Sequence, residues 1–364
     1  MRKIKLLTLL AVLVCAANMW AWSGDGSSGN PYLIASESDW NALATNVNAG
    51  NSYSGKYFQL TADITVSEMV GTDANRFSGI FIGEGHTLTF NKGTSGSRFS
   101  EAYCGPFRYI NGATIKRLRV AGTIYTSNQH AAVIGNAQGT NNLHLCRSSL
   151  VINSSKSGDG THAGFIGVLD GGNTYFTNCL FDGTFEGAST ESWGGLNGWA
   201  RGHAYFTNCL FAPASVNINT SGSATFSRNS SNVSCTNSYY KQTIGDAQGT
   251  NAGSMSNADL KAALGDAWQV SDGKVVPIMQ LKALTGGGTA GSPYLIASAT
   301  DWNDFAYNVN LGESYSGCYF KLTADITVSD MVGTDGNRFS GTFNGDGHTL
   351  TFNKGTSGSR FSEA

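Results

Sequence analysis

The chain of 364 residues carries a net charge of −2 and only 13% charged residues, so it has no basic field to hold nucleic acid. Hydrophobic residues make up 40% of it and prolines number five, which excludes a disordered chain and a proline-rich stalk. The 47 glycines, with abundant Ser, Thr and Asn between short apolar runs, predict an all-β protein.

Residues 1–21 read as a signal peptide. Met1-Arg2-Lys3-Ile4-Lys5 is a basic start, residues 6–17 are apolar but too short to span a bilayer comfortably, and Ala21 is a small residue at a cleavage position. A lipoprotein signal using Cys15 is disfavoured by the bulky Val14 before it. No other stretch is long and apolar enough to cross a membrane, so the chain is expected to be secreted or displayed on a cell surface. Six cysteines remain after cleavage. Their spacing suits buried thiols better than a disulfide framework.

The first module is expected over residues 22–283. Trp40, Leu43, Ala44 and Val47 fall on one face of a capping helix that starts behind a Ser or Asp cap. Tyr57-Phe58-Gln59-Leu60-Thr61-Ala62-Asp63-Ile64 and Gly85-His86-Thr87-Leu88-Thr89-Phe90 then read as first strands. Asp63 is expected to bond backbone amides near a turn.

A period of about 30 residues follows. Ile115-Lys116-Arg117-Leu118-Arg119-Val120 aligns with Leu145-Cys146-Arg147-Ser148-Ser149-Leu150, then with Phe176-Thr177-Asn178-Cys179-Leu180-Phe181 and Phe206-Thr207-Asn208-Cys209-Leu210-Phe211. Cys235-Thr236-Asn237-Ser238-Tyr239-Tyr240 is a degenerate last copy; the offsets are 30, 31, 30 and 29. Apolar residues at the first, fourth and sixth positions break the period of two, which implies a corner between two short strands. Asn suits a corner because it tolerates left-handed dihedrals. Stacked in register, Asn178, Asn208 and Asn237 would form a side-chain ladder, and Phe176 over Phe206, Cys179 over Cys209 and Phe181 over Phe211 would form interior stacks. The expected fold is therefore a right-handed parallel β-helix, a solenoid with short capping helices. A closing helix opens at Ser256 and the module ends near residue 283 after Val275-Val276-Pro277-Ile278.

Small-residue strands precede each apolar motif: Ala131-Ala132-Val133-Ile134-Gly135, Ala163-Gly164-Phe165-Ile166-Gly167 and Gly194-Gly195-Leu196-Asn197-Gly198. Gly164-Phe165-Ile166-Gly167, Gly171-Gly172, the Phe176–Phe181 hexapeptide and Gly183 together resemble the GLUG motif. The resemblance covers residues 105–241 and implies a β-solenoid of the kind found in bacterial surface and adhesin-like proteins and in non-catalytic parts of IgA-cleaving metallopeptidases. It implies no activity.

Residues 22–102 return nearly unchanged as 284–364, where the sequence stops short of a counterpart to Tyr103-Cys104-Gly105-Pro106-Phe107. The second module is thus expected to be a truncated copy with an open, aggregation-prone edge.

Motifs for zinc peptidases, phosphate loops and nucleophile elbows are absent from the sequence. The acids Asp159, Asp170, Asp182, Glu186 and Glu191 are read at different phases of the repeat, with Asp170 set against Arg201 as an exposed ion pair. The favoured function is a non-enzymatic adhesin or scaffold binding glycan or protein partners, without metal or cofactor. A polysaccharide lyase or glycoside hydrolase of the parallel β-helix type is the alternative. His130, His162 and Trp193, each just before a small-residue strand, are expected to form one stripe. Tyr175 and Tyr205 are expected to form a second, exposed pair able to stack on sugar rings.

Overall fold

The computed structural model describes residues 22–228 and 230–355; the expected signal peptide and the last residues of the second copy lie outside them. The expected parallel β-solenoid is what forms. Each coil visits four sheets in turn, as in Phe107–Asn111, Thr114–Lys116, Arg119–Ala121 and Thr123–Thr126, before the next coil repeats the path from Ile134–Gln138. The second and third of these faces grow to eight strands each and the first and fourth to four, and every pairing within them is parallel. Among the described residues, no helix is long and apolar enough to cross a membrane.

The corner between faces two and three is a column of left-handed residues: Arg117, Leu145, Asn178, Asn208 and Asn237, with φ between 46° and 54°. Strand register places Ile115, Leu143, Phe176, Phe206 and Cys235 above one another, so the true offsets are 28, 33, 30 and 29. The second coil is therefore displaced by two residues from the sequence alignment. Leu145, not Arg147, takes the corner. A two-residue slip keeps the same faces inward, so alternation alone does not expose it. For Leu145 the left-handed backbone costs about 1–2 kcal/mol, offset by complete burial of its side chain.

Interior columns follow the register. Phe176 lies over Phe206 with centroids 4.6 Å apart, and Phe181 over Phe211 at 5.7 Å. Cys146, Cys179 and Cys209 each donate through Sγ to a carbonyl of the preceding coil, on Ile115, Leu143 and Phe176 respectively, at 3.4 Å. Ser238 Oγ makes the equivalent bond to the Phe206 carbonyl at 3.1 Å. A small side chain with one donor fits this column, which accounts for Ser238 following three cysteines there. Burial raises the Cys146 and Cys179 thiols well above their ordinary range. In the corner column, Asn237 Nδ2 donates to Asn208 Oδ1 at 2.7 Å, while Asn178 Oδ1 accepts from Trp268 Nε1 at 3.2 Å.

Helix α1 (Glu37–Asn48) covers the first coil, burying Trp40, Leu43, Ala44 and Val47. The Ser36 hydroxyl accepts from the Asp39 amide at its N-terminus. Trp40 packs edge-on against Phe81 and Phe107, and Asp63 accepts from the Thr87 amide at 2.8 Å. Helix α2 (Asn257–Leu264) and the hairpin Trp268–Ser271/Lys274–Pro277 lie along the outside of face three, not over the last coil. Leu180, Leu210 and Tyr239 point outward there and need an apolar cover.

The second copy builds its own core around Phe305, Phe320 and Ile326, with helix α3 (Ala299–Asn310) as the counterpart of α1. It docks on the outside of face two of the first copy. Glu313 bonds Lys116 and Arg117, and His144 Nε2 meets the Leu311 carbonyl at 2.7 Å.

Candidate binding face

Alternation along Asn173–Thr177 and His203–Thr207 sends Phe176 and Phe206 inward, so Tyr175 and Tyr205 point out. Parallel register sets the two tyrosines side by side. Their rings are stacked, with centroids 4.8 Å apart and planes 8° from parallel. His203, two residues before Tyr205 on the same side, stacks on it at 4.3 Å and pairs through Nε2 with Ser234 Oγ at 2.8 Å. Tyr175 remains 38% exposed. Its neighbour in the preceding coil is the exposed Asn142.

The surrounding outward positions are Asn173, Thr177, Thr207 and Thr236, so the face is neutral and dense in hydroxyl and amide groups. Asn142 and His144 leave the same strand on the same side, and the docked loop of the second copy closes on His144. The tyrosine platform thus lies next to the joint between the copies.

The other expected stripe forms only between His162 and Trp193, whose rings meet at 4.7 Å, and it faces inward. His162 and Trp193 are both fully buried. His162 Nδ1 accepts from the Ala131 amide and Nε2 faces Ser154 Oγ, each at 2.9 Å, while Trp193 Nε1 donates to the Thr190 carbonyl. The reason is a one-residue shift in the loop: His130 itself takes the left-handed position, whereas in the next coils Thr161 and Ser192 take it. The residue that follows, His162 or Trp193, is then turned inward. Burial lowers His162 to about 3 and His130 to about 4, so both are neutral imidazoles at neutral pH. His130 is half-buried and stacks on Tyr103 at 4.8 Å. The five expected site residues therefore divide: Tyr175 and Tyr205 meet on one outer face, His130 lies elsewhere, and His162 and Trp193 pack the interior.

Sequence reasoning missed Asn142 and His203, whose place on the face depends on coil register, and Trp199. The last is exposed, on face one, with Arg228 5.2 Å above its ring. It also separated two acids that the structure aligns: Asp159 and Glu191 are direct partners on neighbouring strands. Each is tied to its own partner, Asp159 to Arg228 at 2.9 Å and Glu191 to Asn219 at 3.1 Å. Asp170 pairs with the exposed Arg201 at 3.0 Å, and Asp182 is held by Arg147 and Ser149. Burial of Asp182 opposes its ionisation, but the bonds from Arg147 and Ser149 outweigh it and lower its pKa. Among the described residues, no group of three or more His, Cys, Asp or Glu side chains is placed to hold a metal ion.

Comparison with known proteins adds one likeness. No protein-family model matches the chain, and no curated protein matches it. Among solved structures it is similar to the crystal structure of a putative immunoglobulin A1 protease from Bacteroides ovatus, at 15% identity and a TM-score of 0.41. The match covers 71% of this chain and 95% of that one. A likeness of that degree carries no argument about activity.

Proposed function

We propose that the chain is an exported, adhesin-like β-solenoid that recognises neutral glycans on the outer face bearing Asn142, Tyr175, Tyr205 and His203. The observation that carries this reading is the stacked, outward Tyr175–Tyr205 pair among neutral outward neighbours. Because the two rings cover each other, the surface left for a sugar is the side of Tyr175 that faces Asn142. Apolar ring hydrogens would rest on the tyrosine while amides and hydroxyls beside it bond the sugar hydroxyls. The resemblance of residues 105–241 to the GLUG motif and the signal-like residues 1–21 support a cell-surface or secreted setting.

The test is a glycan-array screen of the full chain beside the double variant Tyr175→Ala/Tyr205→Ala. Saturable binding that disappears in a variant with unchanged circular dichroism supports the reading. Absence of binding by the well-folded chain to any glycan refutes it and leaves a passive stalk or a protein-directed adhesin.

A further inference from the structure

The strand that carries Asn142 has a low end and a high end. At its start, the corner between faces one and two is a stack of glycine backbone. A Cβ on Gly172 would meet the Gly139 carbonyl oxygen at 2.2 Å, and one on Gly202 the Gly172 carbonyl oxygen at 1.7 Å. Consecutive coils therefore touch through bare backbone there, and at Gly171 a Cβ would meet nothing within 4 Å.

At its other end the strand runs under the second copy. His144 Nε2 donates to the Leu311 carbonyl at 2.7 Å. One coil earlier, Glu313 accepts from Lys116 Nζ and Arg117 Nη1 at 2.7 and 2.8 Å. The approach is so close that a Cβ on Gly312 would stand 2.6 Å from His144 Nε2. Its counterpart in the first copy, Gly50, would meet only Asn75 Oδ1, at 3.8 Å. Leu311 is buried, whereas Ala49 at the same position of the repeat is exposed. Residues 311–313 are thus seated on face two as a fixed ledge.

Asn142 and His144 lie two residues apart on one side of the strand, about 6.6 Å. A sugar ring resting on the Asn142 side of Tyr175 would have Asn142 beneath it, the ledge at one edge and the glycine corner at the other. Along the strand, the way out is over the corner. Beyond it stands a polar ladder able to bond further hydroxyls: Gln138 Nε2 and Arg201 Nη1 donate to Asp170 at 3.4 and 3.0 Å.

We infer that the Leu311–Glu313 loop of the second copy is the end wall of the Tyr175 site, which takes the terminal sugar of a neutral glycan while the rest of the glycan leaves over the glycine corner. The inference rests on the glycan reading above and makes the second copy a specificity element for a site on the first. Selection is by exclusion: a further sugar on the walled side would have to displace a loop held by Glu313 and the buried Leu311.

The test is calorimetric titration of the full chain with the strongest array ligand and with the same glycan extended by one sugar at its free end. The glycan's other end is the one tethered on the array, so the free end is the one that meets the wall. The extended glycan should bind at least about tenfold more weakly. In Leu311→Ala/Glu313→Gln, which loosens the loop, the ratio of the two affinities should fall below about threefold. Equal binding of both glycans by the parent chain would overturn the inference and leave the glycan site standing. So would an unchanged ratio in the variant, or its loss of both ligands, since a wall that only excludes is not needed to hold the terminal sugar. Undiminished binding of both glycans by Tyr175→Ala/Tyr205→Ala, or no array ligand for the parent chain, would remove the glycan reading itself and this inference with it.

Discussion

Arg117 and Glu313 meet at 2.8 Å although 196 residues separate them in the chain. Lys116 reaches the same carboxylate oxygen at 2.7 Å, and Glu84 takes the other side of Arg117. The first copy has Asn51 where the second has Glu313, and Ala49 where the second has Leu311. Two of the differences between the near-identical copies thus fall in the loop that docks.

Burial would raise the Glu313 pKa, but Lys116 and Arg117 outweigh it and hold the carboxyl at about 2. A carboxyl lowered from 4.5 on folding contributes stability that is fully present above pH 4.5 and lost as pH falls towards 2. Glu313→Gln leaves Lys116 without its counter-charge and Arg117 with Glu84 alone, and should destabilise the joint by about 3 kcal/mol at neutral pH. Limited proteolysis across residues 278–290 should therefore accelerate in the variant at pH 7. It should accelerate in the parent chain only on acidification through that window. Equal cleavage of both at pH 7 would remove Glu313 from the joint.

Trp193 packs between His162 and Phe185, at 4.7 and 4.9 Å. Trp193→Ala should cost about 3–5 kcal/mol through lost burial and the cavity left behind. Tyr175→Ala, on the surface, should cost no more than about 1 kcal/mol. Denaturant midpoints of the two variants distinguish interior from platform; similar losses would contradict the assignment.

His162 must stay neutral in the folded chain. Its pKa falls from 6.5 to about 3 because burial penalises the imidazolium. A histidine lowered on folding contributes stability present above pH 6.5 and lost progressively as pH falls towards 3. His162→Gln removes that titration while keeping polar atoms near Ser154. The parent chain should lose stability faster than the variant between pH 6.5 and 4 in thermal melts. Parallel pH profiles would show that His162 is not the titrating group.

The solenoid was legible because Phe176, Cys179 and Phe181 recur with their spacing intact at Phe206, Cys209 and Phe211, and the interior columns need that spacing. The second coil was harder to place. Leu145 satisfies the apolar pattern both as an inward strand residue and as a buried corner, and only backbone pairing distinguishes them. The tyrosine pair was legible from alternation alone. His162 and Trp193 were not, since one residue in the preceding loop decides which way they turn. Docking through Glu313 left no mark in any local pattern, because its partners lie in a different coil.

The central claim is that Tyr175 and Tyr205 form a glycan platform, and calorimetric titration of the full chain with the strongest array ligand tests it most directly. The account predicts that Tyr175→Phe retains binding, because the ring is kept. Tyr175→Ala/Tyr205→Ala should lose at least about tenfold in affinity, about 1.4 kcal/mol, with its fold intact. Undiminished affinity in the double alanine variant would contradict the account and place the ligand elsewhere on the solenoid.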